Sequence, residues 1–252
     1  MRAFEVDKFL IRLMNHSDIE EVKKVQSLRY LHLMKEYNPS LPDGGIDDDG
    51  YDEVSDSILV IDKTSGMIAG TYRIATLSTI KNKKFLMEEE YNIDCFRGDK
   101  DGFLELGRAV VHPLYRNGFV IELLFLAIYR YMCEHGLRYT VGLSSFHGTD
   151  PSIYAQGLAL LKRDYSFEKY QIKAISNSFP LDYIKEEDID LNEAKHQLSG
   201  LLRMYLRLGN RVAYNGSIDY SFNSSDVLIV LDIKNISERY MNHFSRLVVK
   251  EL

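Results

Sequence analysis

The chain has 252 residues, 45% of them hydrophobic, and its 31 Lys+Arg against 37 Asp+Glu leave a formal charge of −6. That length suffices for a sizeable core, and the acidic balance argues against nucleic acid as the main partner, because phosphate binding needs surplus basic surface. The opening MRAFEVD has no apolar run behind a basic head, so no secretory signal is expected.

In chain order, 9–13 (FLIRL) reads as a short strand, and Ser17-Asp18-Ile19-Glu20 as a capping box that opens a helix to Glu36 with Arg29 in its second half. Residues 38–56 hold Pro39, Pro42, three glycines and many aspartates, which predicts a long functional loop. Strands are expected at 58–61 and 67–75 around a hairpin turn, and at 103–111, ended by Pro113. Residues 118–135 read as a helix apolar nearly all round, stopped by Gly136. Its apolar run carries Glu122 and Arg130 and falls short of the roughly 20 residues of a membrane span, so it is a core helix. A strand at 139–143 follows, then a helix opened by Asp150 as cap and Pro151 at its first position. Residues 167–175 read as a strand, 190–208 as one amphipathic helix closed by Gly209, 227–231 as a strand and 236–248 as a final helix. Arg203, Arg207 and Arg211 are spaced for one helix face, which reads first as a solvated face. It also suits docking of an acidic carrier protein or an anionic membrane surface. Hairpins mixed with helical connections predict an α/β fold with one mixed sheet and helices on both faces.

Cys95 and Cys133 lie in no CxxC or Cys/His cluster and read as reduced thiols; no metal site is legible. His112 and His147 read as hydrogen-bonded structural residues, and Ser144 and Ser145 sit in no nucleophile elbow. Chemistry concentrates in Leu104-Glu105-Leu106-Gly107-Arg108-Ala109-Val110-Val111-His112-Pro113, followed by Tyr115-Arg116-Asn117-Gly118. A strand running into basic and glycine residues at a helix N-terminus offers backbone N–H groups to an anion. Simple alternation places Leu104, Leu106 and Arg108 on one face and Glu105, Gly107 and Ala109 on the other. A Glu and an Arg inside so apolar a strand need partners, and an internal ion pair and a functional site explain them about equally well.

The run V-x-P-x-x-R-x-G from Val111 to Gly118 resembles the acyl-donor motif of the GNAT superfamily. ELGRAVVHPLYRNG, with DGYD, GTYR, SSFHGTDP, YLRLG and FNSSDVLIVLD in the same order, resembles the ornithine-lipid N-acyltransferases over about residues 29–244. The resemblance implies a GNAT-like acyltransferase domain over 1–252, with a core about 8–175 and a C-terminal helix–strand–helix portion about 176–252. It implies transfer of a 3-hydroxyacyl group from the phosphopantetheine of acyl-carrier protein, or from acyl-CoA, to the amine of an amino acid such as ornithine, with no permanently bound cofactor. A cytoplasmic place is expected, with peripheral contact at the inner membrane face as an option. Similarity to the distantly related acyl-homoserine-lactone synthases singles out Arg29, Asp49, Asp52, Arg73, Glu105 and Arg108. Glu105 is the expected base; Arg108 and Arg73 would orient it or hold the acceptor carboxylate; Asp49 and Asp52 would pair with Arg29. Val110 and Val111 would bind the pantetheine amides, with Arg116, Asn117 and Gly118 completing the donor site. The absence of Trp, and Leu33 where the lactone synthases place an aromatic, set the chain apart from that branch. Phe119 stands where CoA-dependent GNAT enzymes place a glycine against the diphosphate, which suits a carrier-protein donor. A non-catalytic module that binds acyl thioester is the competing reading.

Overall fold

The computed structural model describes residues 1–81 and 83–249. In chain order the elements are β1 (Phe4–Val6), β2 (Phe9–Leu13), α1 (Ile19–Arg29), a π-helical turn (Tyr30–Met34) into α2 (Lys35–Tyr37), β3 (Asp56–Asp62), β4 (Ile68–Ala75), α3 (Leu77–Ile80), α4 (Asp94–Arg97), β5 (Phe103–Val111) and α5 (Phe119–His135). There follow β6 (Tyr139–His147), α6 (Ala155–Tyr165), β7 (Ser178–Pro180), α7 (Leu191–Gln197), α8 (Gly200–Leu208), β8 (Arg211–Val212), β9 (Asn215–Asp219), β10 (Ser224–Asp232) and α9 (Glu238–Val249). The architecture is α/β, as the alternation of hairpins and helices predicts. The chain forms two compact units: one from Met1–Lys83, Leu104–Leu137 and the segment from Glu238, the other from Lys84–Phe103 and Arg138–Ser237.

In the first unit β1 to β5 pair antiparallel in sequence order. β3 is buried on both faces, so its alternate side chains meet different helices. Leu59 packs with Val25 of α1 and Met14. Val60 lies opposite Gly70, on the face covered by α5, where a Cβ on Gly70 would stand 2.7 Å from Val120 Cγ1 and 3.2 Å from the Val110 carbonyl. Glycine is required there so that α5 can lie close to the sheet. The cap of α1 differs from the expected box: Asp18, not Ser17, accepts the N–H groups of Glu20 and Glu21, each at 3.1 Å. Aspartate is as good a cap as serine, and Glu21 is drawn to the Asn15 N–H at 2.7 Å and to Arg12.

In the second unit the antiparallel order is β6-β10-β9-β7, with β8 also beside β10. Asp150 accepts the Ser152 N–H at 3.1 Å and starts a 3-10 turn ahead of α6. Two sequence expectations are corrected here. Residues 167–175 form no strand. They are an anchored loop, in which Phe167 and Tyr170 pack on Phe96, and Lys169 and Tyr170 both donate to Asp99. The expected helix over 190–208 is two helices. Leu198 turns extended, and the Ser199 hydroxyl accepts the Leu202 N–H at 3.0 Å, a new cap that restarts the helix. The arginine stripe is not a single helix face: Arg203 and Arg207 lie in α8, where Arg203 donates to the Lys195 and Leu198 carbonyls, but Arg211 follows in β8 over the Tyr165 ring, and Arg207 and Arg211 are exposed.

Candidate active site

The site residues singled out in sequence all lie in the first unit, where a bulge in β5 arranges them. Arg73 of β4 faces Gly107 while Thr71 faces Val110, so β5 carries one residue more than β4 across this stretch. Arg108 takes up the excess at φ +53°, a left-handed conformation that costs a non-glycine residue stability. The bulge breaks the simple alternation expected along β5. A strained backbone held beside a cluster of charges is characteristic of functional sites.

Around the bulge, three arginines meet three aspartates of the 38–56 loop. Arg29 is 0% exposed. Its two terminal nitrogens donate to both Asp52 oxygens at 2.7 and 2.6 Å, a bidentate fork, and its Nε lies 2.9 Å from Asp47 Oδ2. Gln26 also donates to Asp52, at 3.1 Å. Arg73 donates to Asp49 Oδ1 at 2.8 Å, and Arg108 reaches Asp47 Oδ2 at 3.0 Å and Asp49 Oδ2 at 3.2 Å. Burial alone would raise the Asp49 carboxyl, but the Arg73 hydrogen bond and the Arg73 and Arg108 charges outweigh it and hold it at about 2. Burial opposes the charge on Arg29, and Asp52, Asp47 and Asp49 more than offset that, so its pKa is raised.

The pairing differs from expectation in one respect. Asp52 does pair with Arg29, but Asp49 binds Arg73 and Arg108, and Asp47 takes the second place beside Arg29. Sequence reasoning missed Asp47; the run Asp47-Asp48-Asp49 was the available signal, but only geometry tells which of the three turn inward. Asp48 is exposed. Glu105 is 8% exposed in β5, opposite Ala75. Val110 and Val111 pair with Thr71 and Gly70, and the His112 N–H donates to the Ala69 carbonyl at 2.9 Å.

The turn into α5 is tied back on itself. Arg116 donates to the Val111 carbonyl at 2.9 Å and to Glu36 at 2.5 Å. The Asn117 side chain accepts the Phe119 N–H at 3.1 Å, and Gly118, at φ +95°, makes the left-handed step into the helix. Arg116 and Asn117 therefore shape the loop through their side chains. The rings of His32 and His112 stand 5.1 Å apart beside it.

A charged loop clamped over a bulged strand that feeds a helix N-terminus defines the class: the chain is an acyltransferase of the GNAT fold. Residues 28–126 match the acetyltransferase (GNAT) domain family. A solved CoA-dependent acyl-homoserine lactone synthase, holding SAM and isopentyl-CoA, superposes with a TM-score of 0.54 at 12% identity, over 94% of this chain and 89% of that one. The particular family follows from sequence relatives. The L-ornithine N(alpha)-acyltransferase of Rhizobium meliloti (strain 1021) is 30% identical over 89% of this chain and 80% of its own. That of Brucella abortus (strain 2308) is 30% identical over 79% and 74%. The chain belongs to the L-ornithine N(alpha)-acyltransferase family.

Proposed function

We propose that this chain moves a 3-hydroxyacyl group from acyl-carrier protein to the α-amine of ornithine. The observation that carries the reading is the Arg29–Arg73–Arg108 cluster locked to Asp47, Asp49 and Asp52 at the β5 bulge, with Glu105 buried on the same strand. An amine of pKa roughly 8 to 10 is mostly protonated at neutral pH and cannot attack a thioester. Glu105 takes that proton through a water. The amine nitrogen then bonds to the thioester carbon, the C–S bond breaks, and the nitrogen's remaining excess proton passes to the departing sulfur, giving the amide and the pantetheine thiol while Glu105 releases its proton to solvent. Val110 and Val111 hold the pantetheine amides through their backbone, and N–H groups there stabilise the oxyanion. Arg73 and Arg108 set the electrostatics of the acceptor site; Arg116, Asn117 and Gly118 fix the loop along which the donor lies. Residues 1–252 act as one catalytic domain in this reading. Phe119 favours the carrier protein over CoA, since a half-buried ring fills the place where a diphosphate needs a bare backbone.

The test is incubation of purified protein with 3-hydroxyacyl-carrier protein or acyl-CoA and a pool of free amino acids, read by mass spectrometry. N-acylornithine from the carrier-protein donor alone is the expected product. Another amino acid amide would replace the acceptor, turnover with acyl-CoA alone would replace the donor, and carrier-protein binding without any amide would favour a non-catalytic module.

A further inference from the structure

The second unit holds a group of buried acids that acyl transfer does not account for. Strand register sets Ser145, Asp226 and Ser217 side by side across β6, β10 and β9, and His147, Ser224 and Asp219 in the next row. Cross-strand partners share a face, so this end of the sheet is polar on one side. Glu90, between the 3-10 turn Leu86–Glu89 and the buried Tyr91, meets it: one carboxylate oxygen from each of Glu90, Asp219 and Asp226 lies within 4.8 Å of the other two.

Asp226 is 3% exposed. Its Oδ2 accepts from the Ser224 hydroxyl at 2.9 Å; its Oδ1 and Glu90 Oε2 are buried with no hydrogen bond of good geometry, the nearby Ser145 and Ser217 hydroxyls being, among the described residues, the only polar groups turned toward the two carboxyls' charge besides Ser224. Asp219 Oδ1 is held by the Ser221 and Phe222 N–H groups at 2.8 and 2.9 Å. Among the described residues no Lys or Arg ion pair reaches any of the three. A buried polar atom without a partner costs about 1–3 kcal/mol, and more when charged.

We propose that Glu90, Asp219 and Asp226 bind one calcium-class divalent cation. Oxygen-only donors select a hard ion. Calcium takes carboxylate oxygens at about 2.3–2.6 Å in flexible geometry, so three acids with oxygens within 4.8 Å of one another can close on it, whereas magnesium demands a near-ideal octahedron and keeps its waters. The cation would join the segment before Tyr91 to β9 and β10.

Terbium(III), a calcium mimic, tests this in the intact chain by emission excited through tyrosine. The chain has 17 Tyr and no Trp, and Tyr91 donates its hydroxyl to the Asp226 backbone carbonyl at 3.0 Å, so an antenna stands beside the site. Saturable emission at one equivalent, displaced by calcium, is expected. Asp226→Asn and Glu90→Gln should each weaken terbium binding at least about tenfold, while Glu89→Gln, at the exposed neighbouring position, leaves it unchanged. Each substitution removes a like charge from a crowded group, so the variants should fold, which circular dichroism checks. Absence of saturable emission, or equal emission from a folded Asp226→Asn variant, overturns the proposal. So does stabilisation by ornithine or another diamine but not by calcium, which would make the cluster an ammonium site.

Discussion

A guanidinium with no exposure to water keeps its charge only while carboxylates surround it, and Arg29 depends on Asp52 for two of its hydrogen bonds. Asp52→Ala should lower stability by about 3–5 kcal/mol, the cost of leaving a buried charge unpaired. Asp48→Ala, at an exposed position of the same loop, should stay within about 0.5 kcal/mol in the same urea titration. Asp49 gives the network a pH dependence. Its folded pKa of about 2 lies below the ordinary carboxylate value of 3.8. Its contribution is therefore complete above about pH 4 and lost as pH falls toward 2, about 1–2 kcal/mol once solvent screening is allowed for. Stabilities of the wild type and of Asp49→Asn should separate as pH rises through that window and keep a constant difference above about pH 4. Glu105→Gln should keep the fold and lower kcat by about 10²–10⁴; a folded variant with full turnover would remove Glu105 as the base. At this scale the sequence named the charged residues except Asp47, and of their pairings only Arg29 with Asp52. Neighbouring aspartates 47 and 49 share Arg108 but turn otherwise to different arginines, Arg29 and Arg73, and the left-handed Arg108 between them has no signature in a run of strand-forming residues.

Elements with a strong period were legible: β5 falls at residues 103–111 as read, and α5 ends at Gly136. Elements made by side-chain anchoring were not. β7, β8 and β9 are too short or too polar to alternate, and the Ser199 cap sits inside an unbroken amphipathic pattern. What sequence hides about element packing is clearest at Gly70, which reads as an ordinary strand residue yet sets how near α5 lies to β4. Gly70→Ala pushes a methyl against Val120 and the Val110 carbonyl, and should cost about 1–3 kcal/mol by overpacking, measured by thermal unfolding. A variant as stable as the wild type would mean that α5 shifts outward without loss.

Across the molecule no described helix is long and apolar enough to cross a membrane. The first unit draws on three stretches of chain separated by the two that form the second. Its last stretch includes α9, whose Phe244 and Leu247 are buried, with Phe244 6.1 Å from the Tyr129 ring and His243 3.0 Å from Glu122 of α5. Truncation after Ser237 should cost roughly 3–6 kcal/mol, at about 1.5–3 kcal/mol per buried side chain. Domains hold only about 5–15 kcal/mol in total, so the shortened protein should be largely insoluble or melt far lower in a thermal scan. The same discontinuity sets a clock during synthesis. Residues 138–237, 100 in number, emerge between α5 and α9. At roughly 5–20 residues per second the ribosome needs about 5–20 s to make them. For that interval the nascent chain displays the apolar seat of α9 on α5 uncovered, an opening for holdase chaperones and for contact with other unfinished chains.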